Sequence, residues 1–256
     1  MNPLLWIPLE RGTPNSQMIK SAAGQGIKRV GFAVPDGGTF AKWEKAFIQS
    51  SKSMTSAGIN LKILSLPLPV EKQGQAEAAR WLSQALAAGV EKVVLRPEIP
   101  EEEFLEIQAA SNTAQLCDQA DRLGLSLLIE TSGPLTSYKH MKNFLTCVGR
   151  TSLKVAWNIH NTFLHEPLYI RPDRVVNRLA GDIGLVIVRD SRIKAGVNEF
   201  RLLGFGDVPL LDSLKALKGA GAVSDLSFWV DCPSAFDMDG ALRHSIYVLH
   251  TAQKLV

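Results

Sequence analysis

The chain has 256 residues, is 46% hydrophobic and carries a formal net charge of +3. Such a chain can bury a substantial core, as one large α/β domain or two small ones, and its scattered Lys and Arg form no basic cluster interleaved with aromatics, which argues against nucleic acid as a partner. The opening MNPLLWIPLE lacks a basic leader and breaks its apolar run at Pro3 and Pro8, so neither a secretory signal nor a membrane span is expected.

Short apolar runs rich in β-branched residues alternate with longer stretches of helical period from one end to the other. LLWIPL (4–9) precedes a helix over 15–26, KRVGFAV (28–34) one over 40–57, LKILSL (61–66) one over 74–88, and EKVVLR (91–96) one over 101–123. LSLLIE (125–130) precedes a helix over 138–148, LKVAWN (153–158) one over 171–180, GLVIVR (184–189) one over 208–219, and DLSFWV (225–230) one over 238–254. Gly58, Gly89 and Gly124 stand just past helix ends, as left-handed caps do. Eight strand and helix repeats predict a single (β/α)₈ TIM barrel spanning 1–256, since an open doubly wound sheet usually stops at about five or six strands.

The odd cysteines Cys117, Cys147 and Cys232 lie far apart without a CxxC spacing, which disfavours both a disulfide framework and a cysteine zinc site and suits a reducing, cytoplasmic compartment. A barrel places its active site at the C-terminal ends of the strands. Those ends offer Glu10 and Arg11, Asp36, Ser65, Arg96 with Glu98, Glu130, Asn158 with His160, Arg189 with Asp190, and Trp229 with Asp231. This is a polar rim with no evident triad. The AWNIHN stretch, 156–161, gathers Asn158, His160 and Asn161 in the manner of a metal or sugar site but contains no carboxylate.

Four stretches, LLIET (127–131), AWNIHNTFLHEP (156–167), VIVRDSR (186–192) and LLGFGDVPLLDSLKAL (202–217) followed by LSFWVD (226–231), resemble in order and spacing the xylose isomerase-like barrels of the sugar phosphate isomerase and epimerase superfamily. The resemblance covers the C-terminal half well and the N-terminal half in outline. It implies a divalent ion on four ligands, of which this sequence keeps Glu130; the others fall at Asn158, Ile187 and Trp229. One carboxylate, one neutral amide, one aliphatic side chain and one indole make a poor cage for a doubly charged cation. The cofactor expected is therefore none, or a weakly bound Mn, Mg or Zn on a displaced set of Glu130, His160 and Asp231, with Asp231 facing as Trp229 does if its strand continues.

The resemblance implies a sugar or sugar phosphate isomerase or epimerase with Glu130, His160 and Asp231 as catalytic groups, and Asn158, Arg189, Trp229, Arg96 and Glu166 contacting a small carbohydrate. Arg189 or Arg96 would charge-stabilise an enediolate if no metal does. The alternative is a sugar-binding or regulatory pseudoenzyme. Apurinic-site nuclease activity, also found in the superfamily, needs a multi-zinc cluster absent from these strand ends. Plainer readings stand beside each residue: Glu130 as a structural acid paired with Arg96 or Arg189, His160 as a packed histidine, Trp229 as a filler of volume. The GFGD turn, 204–207, is read mechanically, Asp207 capping a helix from Val208 with Pro209 in its first turn. A membrane partner is not expected, and a homodimer is admitted without being specified.

Overall fold

Val, Leu and Ile occupy consecutive positions in the strand segments, so both faces of each strand must be covered, and a parallel sheet wrapped by helices meets that need. A computed structural model of the chain describes residues 3–8, 16–35, 40–68, 72–97, 104–165, 171–222, 225–230 and 237–255. The strands are β1 (Leu4–Pro8), β2 (Arg29–Ala33), β3 (Asn60–Pro67), β4 (Lys92–Arg96), β5 (Ser126–Glu130), β6 (Lys154–Asn158), β7 (Ile183–Val188), a hairpin of β8 (Asp190–Lys194) and β9 (Val197–Arg201), and β10 (Asp225–Phe228). Strands β1 to β7 and β10 pair in parallel and close a barrel in the order β1-β2-β3-β4-β5-β6-β7-β10, returning to β1. The expected (β/α)₈ barrel is the fold.

The helices are α1 (Ser16–Gly24), α2 (Phe40–Ser56), α3 (Lys72–Ala87), α4 (Glu106–Leu123), α5 (Tyr138–Val148), α6 (Ile159–His165), α7 (Pro172–Leu179), α8 (Leu210–Gly219) and α9 (Met238–Leu255). Gly124 ends α4 at φ 69°, where a side chain would be strained, and its N–H reaches back to the last-turn carbonyls. The apolar stripes of the helices bury Phe47, Leu116, Phe144 and Leu249 against the outer face of the barrel.

Inside the barrel Leu4, Trp6, Ile63, Val94, Leu128 and Leu185 form a separate apolar plug. Trp6 fits because Gly31 on the next strand has no side chain: a Cβ there would lie 2.8 Å from the indole Cε3. The Trp6 indole N–H donates to Ser227 Oγ at 2.9 Å, and Ser227 donates to the Val186 carbonyl, so one hydroxyl ties β1, β10 and β7 together. At the N-terminal end Asp225 accepts from Lys92 (2.5 Å) and Arg29 (3.2 Å). Burial pushes the Asp225 carboxyl up, but the two cations together outweigh it and hold it below the usual range.

Two elements depart from the expected pattern. Residues 159–165 form helix α6, so β6 stops at Asn158 and does not run on to His160. The segment after β7 is the antiparallel β8–β9 hairpin, closed by Ala195 (φ 50°) and Gly196 (φ 77°). Its base is held by Asp190, whose carboxylate accepts from the N–H groups of Ser191, Gly204, Gly206 and Val208 at 2.8 to 3.3 Å. The GFG turn thus cradles an anion supplied by the chain itself. Asp207 does not cap a helix: its N–H donates to the Ser191 carbonyl, and α8 begins at Leu210 with Pro209 before it and no side-chain cap. Pro209 has no N–H to offer, and the Leu210 N–H donates to the Val208 carbonyl at 2.7 Å.

Candidate functional site

The C-terminal ends of β4, β5, β6 and β7 converge on a cavity of about 490 Å³ whose lining includes Arg96, Glu130, Asn158, His160, Arg189 and Trp229. Six residues expected at the site are therefore brought together. Asp231 and Glu166, like Glu10, Arg11, Asp36 and Glu98 of the rim, lie outside the described residues. Asp190 belongs to the hairpin base and is turned to the GFG turn.

Glu130 ends β5 and is only 6% exposed. Its Oε1 accepts from Asn158 Nδ2 at 2.8 Å and from Asn161 Nδ2 at 3.3 Å. Burial pushes the carboxyl above the usual range, against the opposing pull of the Arg96 guanidinium and the Asn158 amide. Arg96 ends β4 and donates to Ser65 Oγ at 2.8 Å and the Val34 carbonyl at 2.6 Å, bracing the ends of β2 and β3 with neutral acceptors while its charge acts on Glu130.

Asn158 does two jobs. Its Oδ1 accepts the Asn161 backbone N–H at 3.1 Å, three residues on, as an N-cap does for the third helical residue, and its amide group is thereby aimed at Glu130. The Asn158 backbone N–H donates to Thr131 Oγ1 at 2.8 Å, fixing β6 against β5. Asn161, the second asparagine on Glu130, follows from the same cap. The Asn-x-x-Asn spacing in AWNIHN was the available signal, masked by reading the stretch as strand.

His160 reaches the cavity from the first turn of α6. Its Nε2 lies 3.0 Å from Ser191 Oγ and its ring packs 5.5 Å from Phe200. The Arg189 guanidinium carbon sits 3.5 Å from the Phe200 ring centroid and 5.6 Å from that of Trp229. Trp229 stacks on Trp6 at 5.7 Å and 9°. Ser191 and Phe200 lie on the hairpin; Phe200 carried no periodic or motif signal, and Ser191 lies within VIVRDSR without an assigned role. Strand β10 ends at Phe228, and Asp231 lies outside the described residues. His140 and His244 bond backbone carbonyls, of Pro134 and Leu203. Cys117 and Cys147 are free thiols, with Cys232 outside the described residues; burial pushes the Cys117 thiol up to about 12.

No protein-family profile and no curated protein sequence matches the chain. Solved structures do. A xylose isomerase domain protein from Planctomyces limnophilus superposes with a TM-score of 0.76 at 17% identity, covering 100% of this chain and 97% of that one. This is the xylose isomerase-like TIM-barrel fold. The IolI protein, in a structure with a bound zinc atom, matches at a TM-score of 0.75 and 12% identity, covering 97% of each chain. D-allulose 3-epimerase from Methylomonas sp. matches at 0.74 and 13%, covering 98% of each. At these identities the likeness is one of fold.

Within the xylose isomerase-like barrel the described residues do not fit a divalent ion at the end of β5. Glu130 is the acid there, its neighbour Asn158 has Oδ1 engaged by Asn161 and turns N–H toward the carboxylate, and Ile187 and Trp229 offer no donor oxygen. The Arg96 cation already acts on Glu130. Among the described residues no three His, Cys, Asp or Glu side chains form a metal-holding group. No helix among the described residues is long and apolar enough to cross a membrane.

Proposed function

We propose that the mouth of the barrel binds a small carbohydrate, and that the protein is a sugar isomerase- or epimerase-like barrel in which Glu130 moves a proton without a four-ligand divalent centre. One observation carries this reading: the cavity has two unlike walls. Glu130, Asn158, Asn161 and Arg96 form a polar side, and Trp229, Phe200 and Ile187 form an aromatic and apolar side. A sugar offers hydroxyls around its edge and C–H groups on its faces, and this pairing of walls suits both.

The Asn158 and Asn161 amides both donate to Glu130 Oε1. A carboxyl whose pKa is raised by burial holds its proton to higher pH than an ordinary one, which suits a general acid and base next to a carbonyl. Arg96, braced beside Glu130, supplies positive charge toward a developing enediolate oxygen. The fold neighbours, among them a D-allulose 3-epimerase, support a sugar-processing barrel.

A second reading, a binding protein without turnover, is favoured by Trp229: an indole stands where a second proton-carrying group would face Glu130. Thermal shift against a panel of sugars and sugar phosphates, with and without EDTA, tests the common part. A ligand selective for the folded form raises the melting temperature, and the rise is expected to be indifferent to EDTA. Deuterium wash-in from D₂O, followed by NMR, then separates the two. The enzyme reading expects wash-in that falls by about 10²- to 10⁴-fold in Glu130→Gln, the usual contribution of a positioned acid or base. Binding that persists in Glu130→Gln, with no wash-in by the wild type, would leave the protein a binder.

A further inference from the structure

Helix α9 packs between α1 and α8 on the outside of the barrel, and its outer side is not uniformly polar. Tyr247 is 69% exposed at mid-helix and Leu255 65% exposed at its end. Beside them a groove of about 450 Å³ runs between α9 and α8, walled by Val248, Thr251 and Leu255 on one side and by Val208, Pro209 and Leu210 on the other. The GFG turn borders it through Gly204 and Gly206. There Phe205 is 54% exposed and stacks on His244 at 4.9 Å and 15°, and the His244 ring is tied to the Leu203 carbonyl, so the turn is a firm end wall. An exposed apolar patch of this kind marks an interaction surface.

Two features of the patch select its partner. It holds both a projecting ring and a hollow that would take one, so the surface is complementary to itself, the condition for a two-fold contact between identical chains. Its charges are also set at opposite ends of α9: Asp239 is exposed in the first turn and Lys254 is exposed in the last. Tyr247 lies eight residues after the one and seven before the other. A two-fold through Tyr247 that lays α9 antiparallel on its copy therefore brings each Asp239 beside the partner's Lys254, and sets the two helix dipoles in opposition. A parallel arrangement would oppose like charges. The 18 residues of α9 make it about 27 Å long. A face of that length and two helices wide, about 20 Å, offers on the order of 500 Å² per copy, which places the total near the roughly 1,000 Å² at the lower bound of specific interfaces.

We propose that the α8–α9 face is a homodimer interface, on which a second copy of this chain docks with α9 antiparallel to α9 and each Tyr247 ring entering the groove of the other copy. The inference does not depend on the carbohydrate reading of the barrel mouth. An interface of this size associates weakly, with a dissociation constant in the micromolar range.

Sedimentation equilibrium of the full chain from about 1 to about 100 µM, at low and at high salt, brackets such a constant and provides the test. The wild type is expected to pass from monomer to dimer across this range, and to do so less readily at high salt. Tyr247→Ala should weaken the dimer at least about tenfold, the scale of an aromatic anchor. Thr251→Arg, which fills the groove and leaves the ring in place, should weaken it as well. Asp239→Lys and Lys254→Asp should each weaken association alone, and the two together in one chain should restore it, because the pair is only exchanged. All four positions are on the surface of α9, and the melting transition of each variant confirms that it is folded. A wild type that stays monomeric at the highest concentration overturns the proposal and leaves the groove to a different partner. A dimer indifferent to Tyr247→Ala or Thr251→Arg, or a charge exchange that fails to restore association, overturns it equally.

Discussion

Glu130 shows how the burial of a single acid ties stability to pH. Its folded pKa is raised because burial outweighs Arg96 and the Asn158 amide. A carboxyl shifted in this direction contributes stability that is complete below its ordinary value of 4.5 and is lost as pH rises through the folded value. Asp190 is shifted the same way, burial again outweighing its amides, whereas Asp225 is shifted down and titrates below that window. Differential scanning calorimetry between about pH 4 and pH 8 should therefore find wild-type stability falling as pH rises, with part of the slope owed to Glu130 and part to Asp190. Glu130→Gln keeps an acceptor for Asn158 and Asn161 and removes the buried charge. It should melt above the wild type at pH 7 and converge with it near pH 4. A variant that melts lower at pH 7 with the wild-type slope would show that the carboxylate is stabilising after all.

Among the elements, the β8–β9 hairpin carries the most consequence for the site, since it supplies Phe200 and Ser191. Its anchor depends on Gly206: a Cβ there would meet Asp190 Oδ1 at 2.0 Å, a collision with no room to relax because the carboxylate is already bonded on several sides. Gly206→Ala should cost about 2–3 kcal/mol as hydrogen bonds to a buried charge are lost, roughly 4–12 °C in melting temperature for a chain of this size. The turn at the far end works in the opposite sense. Ala195 holds φ 50° beside Gly196, the left-handed geometry of a two-residue hairpin that Asn-Gly fills best. Ala195→Asn should stabilise by up to about 1 kcal/mol, because the Asn side chain hydrogen-bonds locally and so tolerates the left-handed region better than Ala, read as a rise in melting temperature with the site unchanged. Opposite signs at the two ends of one hairpin are the check; a neutral Gly206→Ala would mean that Asp190 does not anchor it.

For the whole molecule, closure is the decisive step. The seam between β1 and β10 registers at Leu4 with Ser227 and Leu5 with Phe228, and Trp6 and Ser227 bridge it by side chains. Gly31 admits Trp6 to the interior. Gly31→Ala forces an indole that has nowhere to move, and a cost of about 1–3 kcal/mol is expected for overpacking. Replacing Trp6 by Leu in the same chain should recover part of that loss in chemical denaturation, because the added methyl then has space. If the double variant is simply the sum of the two single losses, the close approach is not what makes Gly31 necessary.

The sequence by itself determined the barrel. Eight apolar runs with helical spacers carry enough period for the strands to be read within a residue or two, because burial on both strand faces writes itself locally. It also delivered Glu130, Arg96, Asn158, His160, Arg189 and Trp229 to one mouth, since strand ends are fixed once strands are. Only the tertiary structure decided what these residues face. Asn158 caps α6 and presents its amide to Glu130, His160 arrives on a helix, Asp190 turns to the GFG amides, and Phe200 comes from a hairpin whose base is held by an Asp190 clamp made with residues 14 to 18 positions away. Contacts between segments distant along the chain leave no period behind, and the electrostatic character of the cleft is made of such contacts.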